Sequence, residues 1–123
     1  MEDKNGFKIM RRMPECLTKE EKEVLGKFCF RLKNSLGNNL VFVKLFGSKV
    51  RGDFNKDSDI DILLLLREKS PKVREDVYDI LFDIDPYYEL RISPRIMSSY
   101  EYRKNEDLHS PFIENVEKEG VRL

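Results

Sequence analysis

The sequence predicts an α+β fold, a small mixed β-sheet with helices packed on one face, and three observations lead there. Two short apolar runs, residues 40–46 and 62–66, are bounded by polar and glycine-bearing stretches and read as strands rather than helices. Stretches before and after them repeat apolar residues at spacings of three and four, the period of a helix with one buried face. The resulting order is helix, strand, strand, helix, strand and then short helices, which suits a mixed sheet.

At 123 residues the chain is expected to be a single domain, 1–123, and its 40% apolar content is enough for one core. Basic and acidic side chains balance at 23 each, so no global field draws the protein onto nucleic acid or an anionic membrane. Strong non-specific nucleic-acid binding is therefore not expected, and a small, locally charged substrate suits the composition better. The cysteines, Cys16 and Cys29, form no CxxC pair, and one histidine does not complete a zinc site. The N-terminal residues lack an apolar signal region, and the longest apolar run is far too short to span a bilayer. A cytoplasmic setting is the expectation.

Residues 1–16 show no period and are expected to be a flexible arm. Thr18-Lys19-Glu20-Glu21 is a capping box, in which the Thr18 hydroxyl and the Glu21 carboxylate each accept from the other's backbone N–H. The helix it opens carries Val24, Leu25, Phe28, Leu32 and Leu36 on one stripe and ends at Gly37-Asn38-Asn39. Residues 40–46 form the first strand and 59–66 the second. Ser70-Pro71 starts a second long helix, with Ser70 as its cap and Val73, Val77, Ile80, Leu81 and Ile84 on its buried stripe. A third strand is expected over 87–92, where Tyr87, Glu89 and Arg91 alternate with Tyr88, Leu90 and Ile92. Short helices follow at about 98–106 and 110–119, and Gly120 releases a tail, Val121-Arg122-Leu123.

Chemistry concentrates between the first two strands. Residues two apart on a strand share a face, so Asp59 and Asp61 point the same way. Side-by-side carboxylates repel unless a cation sits between them, and magnesium is held by one or two carboxylates together with substrate phosphates. Upstream, Gly47 permits close approach of a phosphate to the backbone, Ser48 opens a helical turn whose N–H groups face an anion, and Arg51 follows one turn on. Lys49 and Lys56 flank this stretch, as surface lysines or as cations for a triphosphate. Tyr87, Tyr88, Tyr100 and Tyr102 are available to stack a base or to fill the core. Asp57, Asp59, Asp61 and Glu68 match four positions of an EF-hand loop, but Ile62 stands where that loop needs glycine. An aspartyl-nucleophile phosphatase is disfavoured because the apolar strand follows the aspartates, and a P-loop lacks its Gly-Lys-Ser/Thr.

Gly47-Ser48-x-x-Arg51-Gly52 followed by Ser58-Asp59-x-Asp61 resembles the signature of the DNA polymerase β-like nucleotidyltransferase superfamily. The small size and the ending from Ser110 to Gly120 resemble its minimal nucleotidyltransferases, commonly encoded beside a HEPN protein. The resemblance implies a palm-like core and transfer of a nucleoside monophosphate, AMP from ATP, to a hydroxyl. It implies that Gly47, Ser48, Arg51 and Ser58 bind the nucleotide. It also implies that Asp59 and Asp61, with a third carboxylate on a later strand, hold two Mg²⁺ ions. By strand phase Glu89 is the candidate for that third ligand and for the proton acceptor, with Asp83 and Asp85 as alternatives. The implied acceptor is a tyrosine of a HEPN toxin, making the chain an antitoxin. A non-catalytic partner that neutralises by binding, and a transferase for a small molecule such as an aminoglycoside, are the other readings; the latter would need extra substrate-binding segments or a homo-oligomer.

Overall fold

The computed structural model of the chain describes residues 17–52 and 58–123. The arm expected over 1–16, Cys16 and Lys56 lie outside the described residues. The elements are α1 (Lys19–Leu36), a 3₁₀ turn (Gly37–Asn39), β1 (Leu40–Phe46) and a four-residue helical turn, α2 (Ser48–Arg51). Then come β2 (Ile60–Leu66), α3 (Pro71–Ile84), β3 (Ile92–Ser98), α4 (Ser99–Asp107), α5 (Pro111–Glu119) and β4 (Val121–Arg122). The strands form one mixed sheet in the order β3-β2-β1-β4, with β1 antiparallel to β2 and β4 and with β2 parallel to β3.

The helix starts follow from the sequence. The Thr18 Oγ1 accepts from the Glu21 amide at 3.0 Å while Glu21 Oε1 accepts from the Thr18 amide at 2.8 Å, completing the capping box. Ser70 accepts from the Val73 amide at 3.1 Å, and Pro71 occupies the first helical position, where its missing N–H costs nothing. Ser98 and Ser110 cap α4 and α5 in the same way.

The helices cover both faces of the sheet, not the one face expected. Leu25, Phe28 and Leu32 of α1 and Val77, Ile80 and Leu81 of α3 pack with Ile60, Ile62, Leu64 and Leu66 on one side. Leu63, Leu65 and Met97 turn to the other side and pack against Ile113 and Val116 of α5, with Tyr102 of α4 alongside. The physical reason is written in β2, which is apolar at consecutive positions. A strand with one solvated face would alternate, whereas one buried on both faces reads as a continuous apolar run.

Two other expectations are corrected. Residues 85–91 form a turn rather than a strand, and β3 begins only at Ile92. The Asp85 carboxylate accepts from the amides of Glu89 and Leu90, at 3.0 and 3.1 Å, so that backbone is bent around a side chain and not laid along a sheet. The tail after Gly120 is the edge strand β4, with Arg122 opposite Lys44 and the Leu123 amide donating to the Val43 carbonyl at 2.8 Å.

Lys49, a candidate phosphate cation by sequence, is buried under the sheet end with its Nζ 3.2 Å from Glu21 Oε2. Glu21 thereby ties the start of α1 to the turn after β1. Side-chain exposures of 7% and 10% put this pair among the buried ones, where removing one partner is costly. Lys49→Met is expected to lower unfolding free energy by about 3 kcal/mol in urea titration, and the double variant Glu21→Gln/Lys49→Met to recover most of that. Equal losses in the single and double variants would show that the pairing contributes nothing.

Candidate active site

Asp61 is the second residue of β2, paired with Phe46 at the end of β1 and with Ser93 on β3. Its carboxylate lies against Gly47, so closely that a Cβ built on Gly47 would collide with the Asp61 oxygen. Gly47 also has φ of 85°, in the region that side chains disfavour. The glycine is thus required twice, by backbone conformation and by the carboxylate beside it. After it, the amides of Val50 and Arg51 both donate to the Gly47 carbonyl at 3.1 Å, and the Gly52 amide donates to the Ser48 carbonyl at 2.9 Å, closing α2.

Asp59 immediately precedes β2, with its side chain 42% exposed. The Asp61 carboxyl is pushed above the usual carboxylate range first by burial and then by the charge of Asp59, with Arg51 opposing. A carboxylate whose ionisation is opposed by burial and by a neighbouring carboxylate is what a divalent cation relieves, so the residues present fit one. Arg51 in turn pairs with Glu119 at the end of α5, 3.4 Å away. Ser58 stands just ahead of Asp59 and is half-buried.

The structure therefore brings together Gly47, Ser48, Arg51, Ser58, Asp59 and Asp61 at one end of the sheet, and it places Glu89 in a turn rather than on a strand. Glu89 is exposed in the turn before β3, and the strand face it was expected to share with Asp61 is taken by Ser93. Asp85 is engaged by two backbone amides, and Asp83 pairs with Arg31 at 3.1 Å. Among the described residues, no three His, Cys, Asp or Glu side chains gather into a metal cluster.

Several contacts at this end carry no signal in the sequence. Arg91 Nε donates to Asp59 Oδ1 at 3.0 Å, and its guanidinium lies 5.6 Å from the centre of the Tyr88 ring. Both Arg91 and Tyr88 have φ of 54°, a conformation that costs a side-chain-bearing residue energy and tends to occur at functional sites. On β3, Arg95 stacks on Phe112 at 4.0 Å, and Phe112 meets Phe46 edge-on at 5.4 Å. Helix α5 thus crosses the sheet below Asp61, from Arg95 on β3 to the Arg51–Glu119 pair beyond β1. No alternation in the sequence signals Arg95, because its strand contains Pro94 and has an irregular apolar pattern.

Residues 21–123 match the nucleotidyltransferase domain family. A Methanocaldococcus jannaschii protein described as "Putative protein adenylyltransferase" is 32% identical over 102 residues, covering 82% of this chain and 96% of its own length. A second protein of that organism with the same description is 38% identical over 61 residues, 50% of this chain and 41% of its own. A crystal structure of a "putative nucleotidyltransferase" from Sulfolobus solfataricus shares the fold, with a TM-score of 0.53 and 18% identity over 98% of this chain and 84% of that one. The chain belongs to the nucleotidyltransferase domain family and is a nucleotidyltransferase.

Proposed function

We propose that the chain transfers AMP from ATP to a hydroxyl of a protein acceptor, with Mg²⁺ held by Asp59 and Asp61. The observation that carries this is the Asp61 carboxylate seated against the bare α-carbon of Gly47, with Asp59 close enough to raise its pKa. The description of the Methanocaldococcus relative supports the protein acceptor. Bound Mg²⁺ would supply charge neutralisation for the leaving pyrophosphate and a more acidic attacking hydroxyl. The chain's own part is to orient. Gly47 and Ser48 present the start of α2 to the triphosphate, and Arg51 and Ser58 flank it. The acceptor oxygen forms a bond to the α-phosphorus as the bond to the β-phosphate oxygen breaks. Pyrophosphate leaves, and the hydroxyl proton passes to water.

The resemblance to minimal nucleotidyltransferases makes a HEPN-type toxin the partner to test first, with the chain as its antitoxin. A second reading, neutralisation of that partner by binding alone, is favoured by one observation: β3, Ile92–Ser98, carries no carboxylate. Incubation with ATP labelled at the α-phosphate, with and without Mg²⁺ and the candidate partner, separates the two. Under the first reading the partner acquires label only when Mg²⁺ is present, and EDTA abolishes labelling. A stable complex that never acquires label would establish the second.

A further inference from the structure

In-line displacement puts the attacking oxygen and the leaving group on opposite sides of the phosphorus. With the triphosphate at the Gly47–Ser48 turn, on the β1 side of the aspartates, the acceptor must approach from the β3 side. In the sheet order β3-β2-β1, β3 is the strand on that side. The two β3 residues nearest Asp61 on its face are Ser93, directly beside it, and Arg95, beside Leu63. Neither is acidic. Arg95 lies about 6.6 Å further along the strand than Ser93. Arg95 is exposed and its guanidinium is seated on the Phe112 ring at 4.0 Å, which covers one face of the guanidinium. Among the described residues no carboxylate forms an ion pair with Arg95, unlike Arg31, Arg51 and Arg91. Arg91 lies on the same side, but its charge is already met by Asp59.

We propose that Arg95, held by Phe112, is the binding residue of an acceptor subsite that takes a carboxylate flanking the target hydroxyl, so that the acceptor is a hydroxyl within an acidic polypeptide segment. This rests on the nucleotidyl-transfer reading above. A planar guanidinium with a fixed fork suits a carboxylate in two-point contact.

The test uses the whole protein with Mg²⁺ and a non-hydrolysable ATP analogue. The probes are a random Glu/Tyr copolymer, a random Lys/Tyr copolymer and a single-stranded RNA with a free 3′ hydroxyl, each followed by fluorescence anisotropy. The Glu/Tyr copolymer is expected to bind in preference to the other two. Arg95→Ala is expected to weaken it about five-fold, with Arg95→Lys between, and Arg95→Glu to shift preference to Lys/Tyr. In label transfer from ATP the same variants should raise KM for the Glu/Tyr copolymer far more than they lower kcat. Equal binding of the two copolymers, indifference to Arg95→Ala, or preference for the RNA overturns the assignment. Failure of the unchanged protein to bind the ATP analogue with Mg²⁺ overturns the nucleotidyl-transfer reading itself. Binding of the analogue with polymer affinities that ignore Arg95 overturns the acceptor subsite alone.

Discussion

Asp61→Asn is expected to reduce nucleotidyl transfer by about a thousand-fold, because under the proposed function it removes the charge that faces the transferring phosphate and its Mg²⁺. The fold should survive, since the side chain is only half-buried and asparagine has nearly the same shape. Stability gives a second readout whose sign is fixed. The folded-state pKa of Asp61 is raised by burial and by Asp59, so the group favours folding when protonated. That contribution is fully present below the ordinary carboxylate pKa of about 4 and is lost as pH rises through the raised folded value. At neutral pH the metal-free protein thus carries a charge it would rather not hold. Asp61→Asn relieves it. The metal-free variant should be more stable than the unchanged protein at pH 7, with the gap closing on acidification. Mg²⁺ should stabilise the unchanged protein and leave the variant indifferent. Urea midpoints at two pH values, with and without Mg²⁺, provide the measurement. Retention of full transfer by Asp61→Asn would remove this residue from the active site.

What was legible in the sequence was whatever local chemistry decides. The capping box at Thr18 and Glu21, the Ser70-Pro71 start and the apolar stripes of α1 and α3 are local signals, and the structure carries all of them. The third strand was misplaced because two local signals conflict with a tertiary one. Residues 87–92 alternate well enough for a strand, but Asp85 captures the backbone and Tyr88 and Arg91 adopt left-handed φ. The true strand holds Pro94, which normally argues against a strand. It is tolerated because β3 is at the edge of the sheet, where an absent N–H breaks no ladder bond. That shift moved the reading of the site as well. Glu89 was selected by phase on a strand that is not there, while Ser93 and Arg95 gained their positions from a register no sequence period reveals. The second helical layer was missed for a related reason. Helices α4 and α5 are nine residues each, too short for periodicity to say which face of the sheet they cover.

Gly47→Ala should be the most damaging single-methyl change in the chain, because two independent penalties meet at one atom. At φ of 85° an alanine pays the left-handed cost of about 1–2 kcal/mol that glycine avoids. Its Cβ would also strike the Asp61 carboxylate, and relief requires that carboxylate to swing away or β1 and β2 to separate. The second route would break the Phe46–Asp61 register and disturb Phe46 on Phe112, so the carboxylate is expected to move instead. The variant should lose about 2 kcal/mol or more of stability in urea and, independently, most of its Mg²⁺-dependent transfer. Gly52→Ala is the matched control. It has nearly the same φ, 84°, but among the described residues nothing lies within 4 Å of where the Cβ would sit. It should show the conformational cost in the metal-free urea titration with no loss of Mg²⁺ binding. If the two alanine variants were equally impaired in Mg²⁺ binding, the closeness of Gly47 to Asp61 would not be what shapes the site.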